Sequence, residues 1–191
     1  MRSARAVRAH LAQDHRYTHT LRVARLGAQL ARHHGVDPLQ ARLAGLYHDL
    51  ARLYTSERLI AECSARGMRI DAFERANPIV LHARLGAELA REQFAVRDEA
   101  ILSAIRNHTV AAETMTPLDA IVFLADALEP GRDYPERAAY ADLAEADLDA
   151  AMRATLASTI GYLRERKLAI APQTLAAAAT YTPSTRENTP A

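Results

Sequence analysis

Six ionisable side chains fall on the apolar stripes of helical segments, where an unpaired charge is costly to bury. His19 precedes Val23, Leu26 and Leu30 by 4, 7 and 11 residues, the spacing of one buried helical face. His48 and Asp49 lie inside Leu43-Ala-Gly-Leu-Tyr-His-Asp-Leu-Ala51, near the end of a helix apolar on several sides. His82 shares the face of Leu85 and Leu89, and His108 continues the line of Ile101 and Ile105. Asp126 follows Leu118 and Val122 in steps of four. Two carboxylates and four imidazoles on five helices therefore point inward. A metal site resolves that burden economically, because imidazole and carboxylate ligands suit divalent transition metals.

Any one buried histidine is most often a hydrogen-bonded core residue, and an adjacent His-Asp pair is common by chance. The set is what carries weight. His10, His33 and His34 have no such placement and are expected to face solvent, the last two at a helix C-terminus where positive charge is favourable. His15 fits a frayed helix end.

His19, His48-Asp49 and Asp126, in that order on successive helices, resemble the H…HD…D signature of HD-domain metal-dependent phosphohydrolases. Further motifs are Arg16-x-x-His19, Ala44-Gly-Leu-Tyr-His-Asp-Leu-Ala-Arg52, Pro78-x-x-x-His82, Ala104-Ile-x-x-His108-Thr109, Met115 and Ala125-Asp126-x-x-Glu129-Pro130-x-Arg132. Together they resemble the YqeK family, whose members hydrolyse symmetrical bis(5′-nucleosyl) tetraphosphates and cut diadenosine tetraphosphate into two ADP. The resemblance spans roughly residues 15 to 180. Four positions depart from it. Arg52 stands where members usually carry Lys, Ala111 and Ala112 stand where Gly and a basic residue are usual, and the usual Asn is missing from Thr174–Thr180.

The resemblance implies that a first metal takes His19, His48, Asp49 and Asp126, with positions left for water and phosphate oxygens. Iron is the metal associated with relatives, and the ligand set also tolerates manganese and other divalent ions. His82 and His108 face the same cavity, and two roles stay open for them: a second metal bridged by Asp49, or donors to substrate phosphates. One or two ions per chain are expected accordingly. Metal binding lowers the pKa of water from 15.7 towards about 7, which makes Asp49 central to catalysis. Charge gathering on the phosphoryl oxygens calls for cations. Arg52, Arg132 and Arg16 are the candidates by motif position, Arg52 also as a catalytic group, and Thr109 can offer a hydroxyl to phosphate. Other readings are an HD phosphatase acting on another nucleotide and a non-catalytic nucleotide sensor. A cyclic-dinucleotide phosphodiesterase fits less well, because Leu163 follows Gly161-Tyr162 where that subgroup has Pro.

The elements that must position these residues are all helical. Alanine makes up 41 of 191 residues and glycine plus proline only 15, which favours helices over turn-rich β architecture. Helices are expected at about 5–15, 18–34 (stopped by Gly35), 37–50, 56–65, 79–93, 97–108, 117–128, 147–166 and 172–180. Asp37 is the expected cap and Pro38 the first residue of the third, whose stripe reads Leu39, Leu43, Leu46 and Leu50. The expected fold is an all-α HD-domain helical bundle over residues 1–181. Its metal-binding core covers about 16–132, its C-terminal helices pack on the same domain, and a disordered tail occupies 182–191. Aromatics at 5% without tryptophan and a net charge of +1 argue against a nucleic-acid binder. Arginines interrupt any N-terminal hydrophobic run, and the longest uncharged stretch, 168–185, is no membrane span. The single cysteine, Cys63, excludes an intramolecular disulfide and suits a reducing cytoplasm. A homodimer is left open.

Overall fold

Residues 2–182 are the part of the chain that the computed structural model describes, and among them helices are joined by turns with no strand. The α-helices are α1 (Arg2–Leu11), α2 (Asp14–His33), α3 (Pro38–Tyr47), α4 (Ser56–Ala65), α5 (Ala72–Ala76) and α6 (Leu81–Gln93). They continue as α7 (Glu99–Asn107), α8 (Pro117–Leu128), α9 (Arg137–Ala146), α10 (Leu148–Glu165) and α11 (Pro172–Thr180). A 3-10 turn, Pro78–Val80, leads into α6. The expected disordered tail lies outside the described residues, apart from Thr182. None of the described helices is long and apolar enough to cross a membrane.

Local signals explain most boundaries. Asp37 accepts a hydrogen bond from the Leu39 N–H and Pro38 opens α3, while Gly35 leaves α2 in the left-handed region at φ +66. Thr116 and Asp119 form a reciprocal capping box on α8. Three expectations need correction. The first helix is not 5–15: the chain breaks at Ala12, where φ is +52, and α2 starts early enough to carry both Arg16 and His19. Helices α5 and α9 fall in stretches expected to be loops. Leu39 is 60% exposed, because the first turn of α3 faces an open groove shared with Arg25, Gln29 and Arg32 of α2.

Helix α8 forms the centre. Leu118 through Ala125 and Leu128 are all buried, as expected of a helix apolar on every side. Fully buried side chains such as Ile121, Leu124 and Leu128 each contribute about 1.5–3 kcal/mol. Around α8 pack α2, α3, α7, α9 and α10, and α11 lies on α10, so the C-terminal helices close over the same core. The tightest junction is between α2 and α3. A Cβ on Gly45 would lie 2.9 Å from Ala24 Cα, so only glycine lets the two backbones approach this closely. That approach brings His19, on α2, against the turn that follows α3.

Candidate metal centre

Helix α3 ends at Tyr47, and His48 and Asp49 lie in the turn beyond it rather than within the helix. His19 reaches them from α2 and Asp126 from the last turn of α8. His19 Nε2 lies 3.3 Å from His48 Nε2, 3.0 Å from Asp126 Oδ1 and 3.7 Å from Asp49 Oδ2. His48 Nε2 lies 3.4 Å from Asp49 Oδ2 and 3.8 Å from Asp126 Oδ1. The other nitrogen of each ring is already committed. His48 Nδ1 donates to the Gly45 carbonyl at 2.7 Å, and His19 Nδ1 donates to Glu129 Oε1 at 3.1 Å. Both Nε2 atoms thus face each other and two carboxylates. His19, His48 and Asp126 form one group of donors that could hold a cation, and Asp49 Oδ2 lies beside both imidazoles.

The titration behaviour expresses the same demand. Burial opposes the His48 imidazolium, yet Asp49 and Asp126 outweigh it and raise the pKa to about 9. Burial likewise opposes ionisation of Asp49 and Asp126, but His48 on the first, and His19, His48 and Arg132 on the second, hold both well below the carboxylate range.

A second group of donors adjoins the first. His82 Nε2 and His108 Nε2 are 3.2 Å apart, and His82 Nε2 is 3.5 Å from Asp49 Oδ1. Asp49 therefore presents one oxygen to each group. The Nδ1 atoms of these rings donate to backbone carbonyls, His82 to Ile79 and His108 to Ile105. The Thr109 hydroxyl lies 3.2 Å from one Nε2 and 3.1 Å from the other. Here no local carboxylate outweighs desolvation. Burial lowers the pKa of His82, and burial with neighbouring His48 and His82 pushes His108 down to about 3.

A cleft of about 320 Å³ opens over these donors, walled by Arg16, Arg52 and Arg132 with Ile79, Phe123 and Thr159. Arg16 Nη1 donates to Asp49 Oδ2 at 2.9 Å. Arg132 pairs with the Asp126 carboxylate, and its Nε donates to the Asp126 carbonyl at 2.9 Å. Every residue singled out from the sequence as a ligand or phosphate contact lies in or beside this cleft. The remaining histidines behave differently from expectation in two cases. His10 Nε2 bonds the Leu50 carbonyl at 2.8 Å and His34 Nε2 the Ala144 carbonyl at 2.7 Å, so both are part-buried; His33 and His15 are exposed.

Glu129 belongs to no expected ligand or phosphate-contact set, yet it is buried and touches His19. Its Oε2 forms an ion pair with Arg22 Nε at 2.6 Å and accepts from the Gly131 N–H at 2.6 Å. Burial would raise its pKa, but His19, the Gly131 N–H and Arg22 outweigh burial and keep it ionised. No local signal marks it, because Glu129 lies just past the end of α8 and its partners His19 and Arg22 come from α2.

Comparisons with known proteins identify the family. A family model described as HD domain matches residues 16–131. The symmetrical bis(5′-nucleosyl)-tetraphosphatase of Halalkalibacterium halodurans is 35% identical over 89% of this chain and 90% of its own. Its namesake in Bacillus subtilis is 33% identical over 84% and 86%. A crystal structure from Clostridium acetobutylicum, described as a predicted HD superfamily hydrolase involved in NAD metabolism, superposes with a TM-score of 0.90 at 28% identity. That superposition covers 94% of this chain and 95% of the other. An HD domain implies a divalent metal, and among the described residues His19, His48 and Asp126, and likewise His48, Asp49 and His108, lie close enough together to hold one. The chain belongs to the HD domain family of hydrolases and stands beside the symmetrical bis(5′-nucleosyl)-tetraphosphatases within it.

Proposed function

We propose that His19, His48, Asp49 and Asp126 hold a divalent transition metal, iron first and manganese next, and that the chain hydrolyses diadenosine tetraphosphate symmetrically to two ADP. The observation that carries this is the grouping of the two Nε2 atoms with Asp126, with Asp49 Oδ2 beside both rings and both Nδ1 atoms already bonded. A bound ion supplies Lewis acidity, polarising a phosphoryl oxygen and acidifying water. The chain's own residues do the rest. Arg16, Arg52 and Arg132 wall the cleft and bind the polyanionic phosphate chain, each guanidinium able to grip two oxygens. Asp126 and Asp49 keep Arg132 and Arg16 aimed at the cleft. Hydrolysis adds water across the central anhydride: one P–O bond forms, one breaks, and the bridging oxygen leaves with one ADP and regains a proton.

Between the two roles open for His82 and His108, the hydrogen bonds favour a second ion. A neutral imidazole whose Nδ1–H is given to a carbonyl has no proton on Nε2 to donate to phosphate. Asp49 Oδ1 completes that second set, leaving Thr109 to reach phosphate. A reducing cytoplasm fits the buried free thiol of Cys63.

Metal analysis of protein purified without chelator, paired with product identification from diadenosine tetraphosphate, tests the reading. Metal with ADP as the only product is expected. AMP plus ATP, or faster turnover of mononucleotides assayed in parallel, would overturn it in favour of another nucleotide.

A further inference from the structure

We infer that Arg22 and Glu129 are positioning residues that fix the His19 ring as a metal donor, and that Gly131 is glycine in order to seat the Arg22 guanidinium. The inference rests on His19 being a ligand, as proposed above.

Glu129 is almost fully buried, and each of its oxygens has a separate task. Oε1 accepts from His19 Nδ1 at 3.1 Å, which places the ring proton on Nδ1 and leaves the Nε2 lone pair facing His48 and Asp126. Oε2 is held by Arg22 and by the Gly131 N–H, both at 2.6 Å, so the carboxylate is balanced by one cation and cannot rotate away from the ring. Arg22 lies three residues after His19 on α2, and the same helix therefore carries both the ligand and the counter-charge of its partner. Gly131 completes the arrangement. A Cβ there would lie 2.2 Å from Arg22 Nη2 and 2.5 Å from Arg22 Cζ, so any side chain would force the guanidinium to shift from its place against Glu129. The segment Glu129-Pro130-Gly131-Arg132 thus serves the first metal group from two sides. Glu129 aims His19, while Arg132 returns to Asp126.

His48 shows what Glu129 adds. The His48 ring is oriented by a neutral carbonyl of its own helix. The His19 ring is oriented by a charged carboxylate from the loop after α8, and a carboxylate acceptor makes the opposite ring nitrogen a stronger donor to a cation.

The test measures metal affinity by chelator competition, independently of turnover, in Glu129→Gln, Arg22→Met and Gly131→Ala. Glu129→Gln should weaken the first ion by roughly 10- to 100-fold, the range seen when a ligand's supporting hydrogen bond is lost. Arg22→Met and Gly131→Ala should weaken it to a similar, smaller degree, since each removes the same counter-charge by a different route. At saturating metal, KM for diadenosine tetraphosphate should stay unchanged, because none of the three is placed against substrate. Thr116→Ala, which uncaps the far end of α8, controls for lost stability and should leave metal affinity unaltered. The ¹⁵N shift of His19 Nδ1 gives a spectroscopic signature, and it should move in Glu129→Gln and hold in Thr116→Ala. Glu129→Gln with affinity within about threefold of wild type, or a loss matched by Thr116→Ala, would overturn the inference alone. Should Glu129→Gln fail to fold, Arg22→Met or Gly131→Ala with wild-type affinity would do the same. A wild-type chain that binds no ion would instead overturn the metal centre itself.

Discussion

Around His19, Asp49 and Asp126 the supporting groups are charged, with Glu129 behind His19, Arg22 behind Glu129, Arg132 on Asp126 and Arg16 on Asp49, while His48 alone rests on the Gly45 carbonyl. Around His82 and His108 the supports are the carbonyls of Ile79 and Ile105 and the hydroxyl of Thr109. The same residue type consequently responds in opposite ways. His48, beside two carboxylates, takes up a proton until pH about 9, whereas His108, desolvated without a carboxylate of its own, refuses one until about 3. Burial is nearly equal in the two places, so burial does not set the difference; the placement of carboxylates does. One group is an anionic hole that requires a cation. The other is a pair of neutral donors that becomes a cation site only through Asp49 Oδ1.

Breaking the shared element should have the largest effect. Asp49→Ala removes Oδ2 from the first group and Oδ1 from the second, and is expected to abolish both metal binding and hydrolysis. The loss should exceed the roughly 100-fold that changes to supporting residues reach. Elemental analysis with a single-turnover assay checks it, and full metal content with a tenth of wild-type turnover would contradict it. His108→Ala separates the groups. Metal content at saturation should fall from near two per chain towards one, with the first ion's affinity held. A wild-type chain saturating at one ion would return His82 and His108 to the phosphates.

Arg132 lies on the charged side and should show an intermediate effect. It reaches Asp126 without being a ligand, so Arg132→Ala should leave metal content intact at saturation while lowering kcat/KM. Hydrogen bonds to charged groups are worth about 1.5–3 kcal/mol, which corresponds to roughly a ten- to two-hundred-fold loss. Lysine at this position should recover only part, because it keeps the charge but not the fork. An alanine variant within about threefold of wild type would show that the arginine serves Asp126 alone.

Protons sharpen the same contrast in the metal-free protein. The folded pKa of His48 is raised above 6.5, so its contribution to stability is complete below pH 6.5 and fades as pH climbs through about 9. His108 has a depressed folded pKa, so its contribution is present above 6.5 and fades as pH falls towards about 3. Thermal unfolding of the metal-free protein should therefore lose Tm on the alkaline side, and bound metal should flatten that limb by replacing the proton. Calorimetry at pH 6, below the titration of metal-bound water, in buffers of different ionisation enthalpy should find about one proton released with the first ion and none with the second. A flat alkaline limb together with no proton release would remove the electrostatic basis of the comparison.

How much of this was legible in the sequence follows the same divide. His19, His82 and Asp126 could be placed because each shares a 3.6-residue stripe with residues that proved buried, such as Val23, Leu85 and Val122. Helices α3, α4 and α8 carried their own start signals in the capping side chains of Asp37, Thr55 and Thr116, and α11, without a side-chain cap, in Pro172 at its first position. Helix α9 carried none: its N-cap position holds Glu136 without a side-chain cap, and its apolar face appears only when α2, α8 and α10 are present to bury Ala144. Glu129 was equally opaque. A carboxylate three residues past Asp126 and next to a proline reads as a surface loop until α2 brings Arg22 to it. Charge partners separated by 107 positions leave no local periodicity to read.

The smallest expected effect concerns the backbone beside the neutral group. Ala111 follows His108 by three residues, is buried, and has φ +61, where L-residues other than glycine are strained by about 1–2 kcal/mol. Its N–H still donates to the Asn107 carbonyl at 3.0 Å, closing the end of α7. Glycine is usual at this position in the family that the sequence resembles. Ala111→Gly removes the strain, but it also frees the unfolded chain by about 0.5–1 kcal/mol and exposes the space of a methyl worth about 0.8 kcal/mol. These contributions nearly cancel, so stability should change by less than about 0.5–1 kcal/mol. Ala104, equally buried but inside α7, has no strain to release. Ala104→Gly should therefore lose about 1.5–2 kcal/mol from helix propensity and the missing methyl together. Denaturant melts of the two variants measure the difference directly. Metal stoichiometry should be untouched in Ala111→Gly, because His108 is aimed by the Ile105 carbonyl within α7 and not by the turn that follows it. Equal losses in the two variants would mean that the turn at Ala111 carries no strain, and a lost second ion would mean that this turn, rather than α7, holds the His108 ring in place.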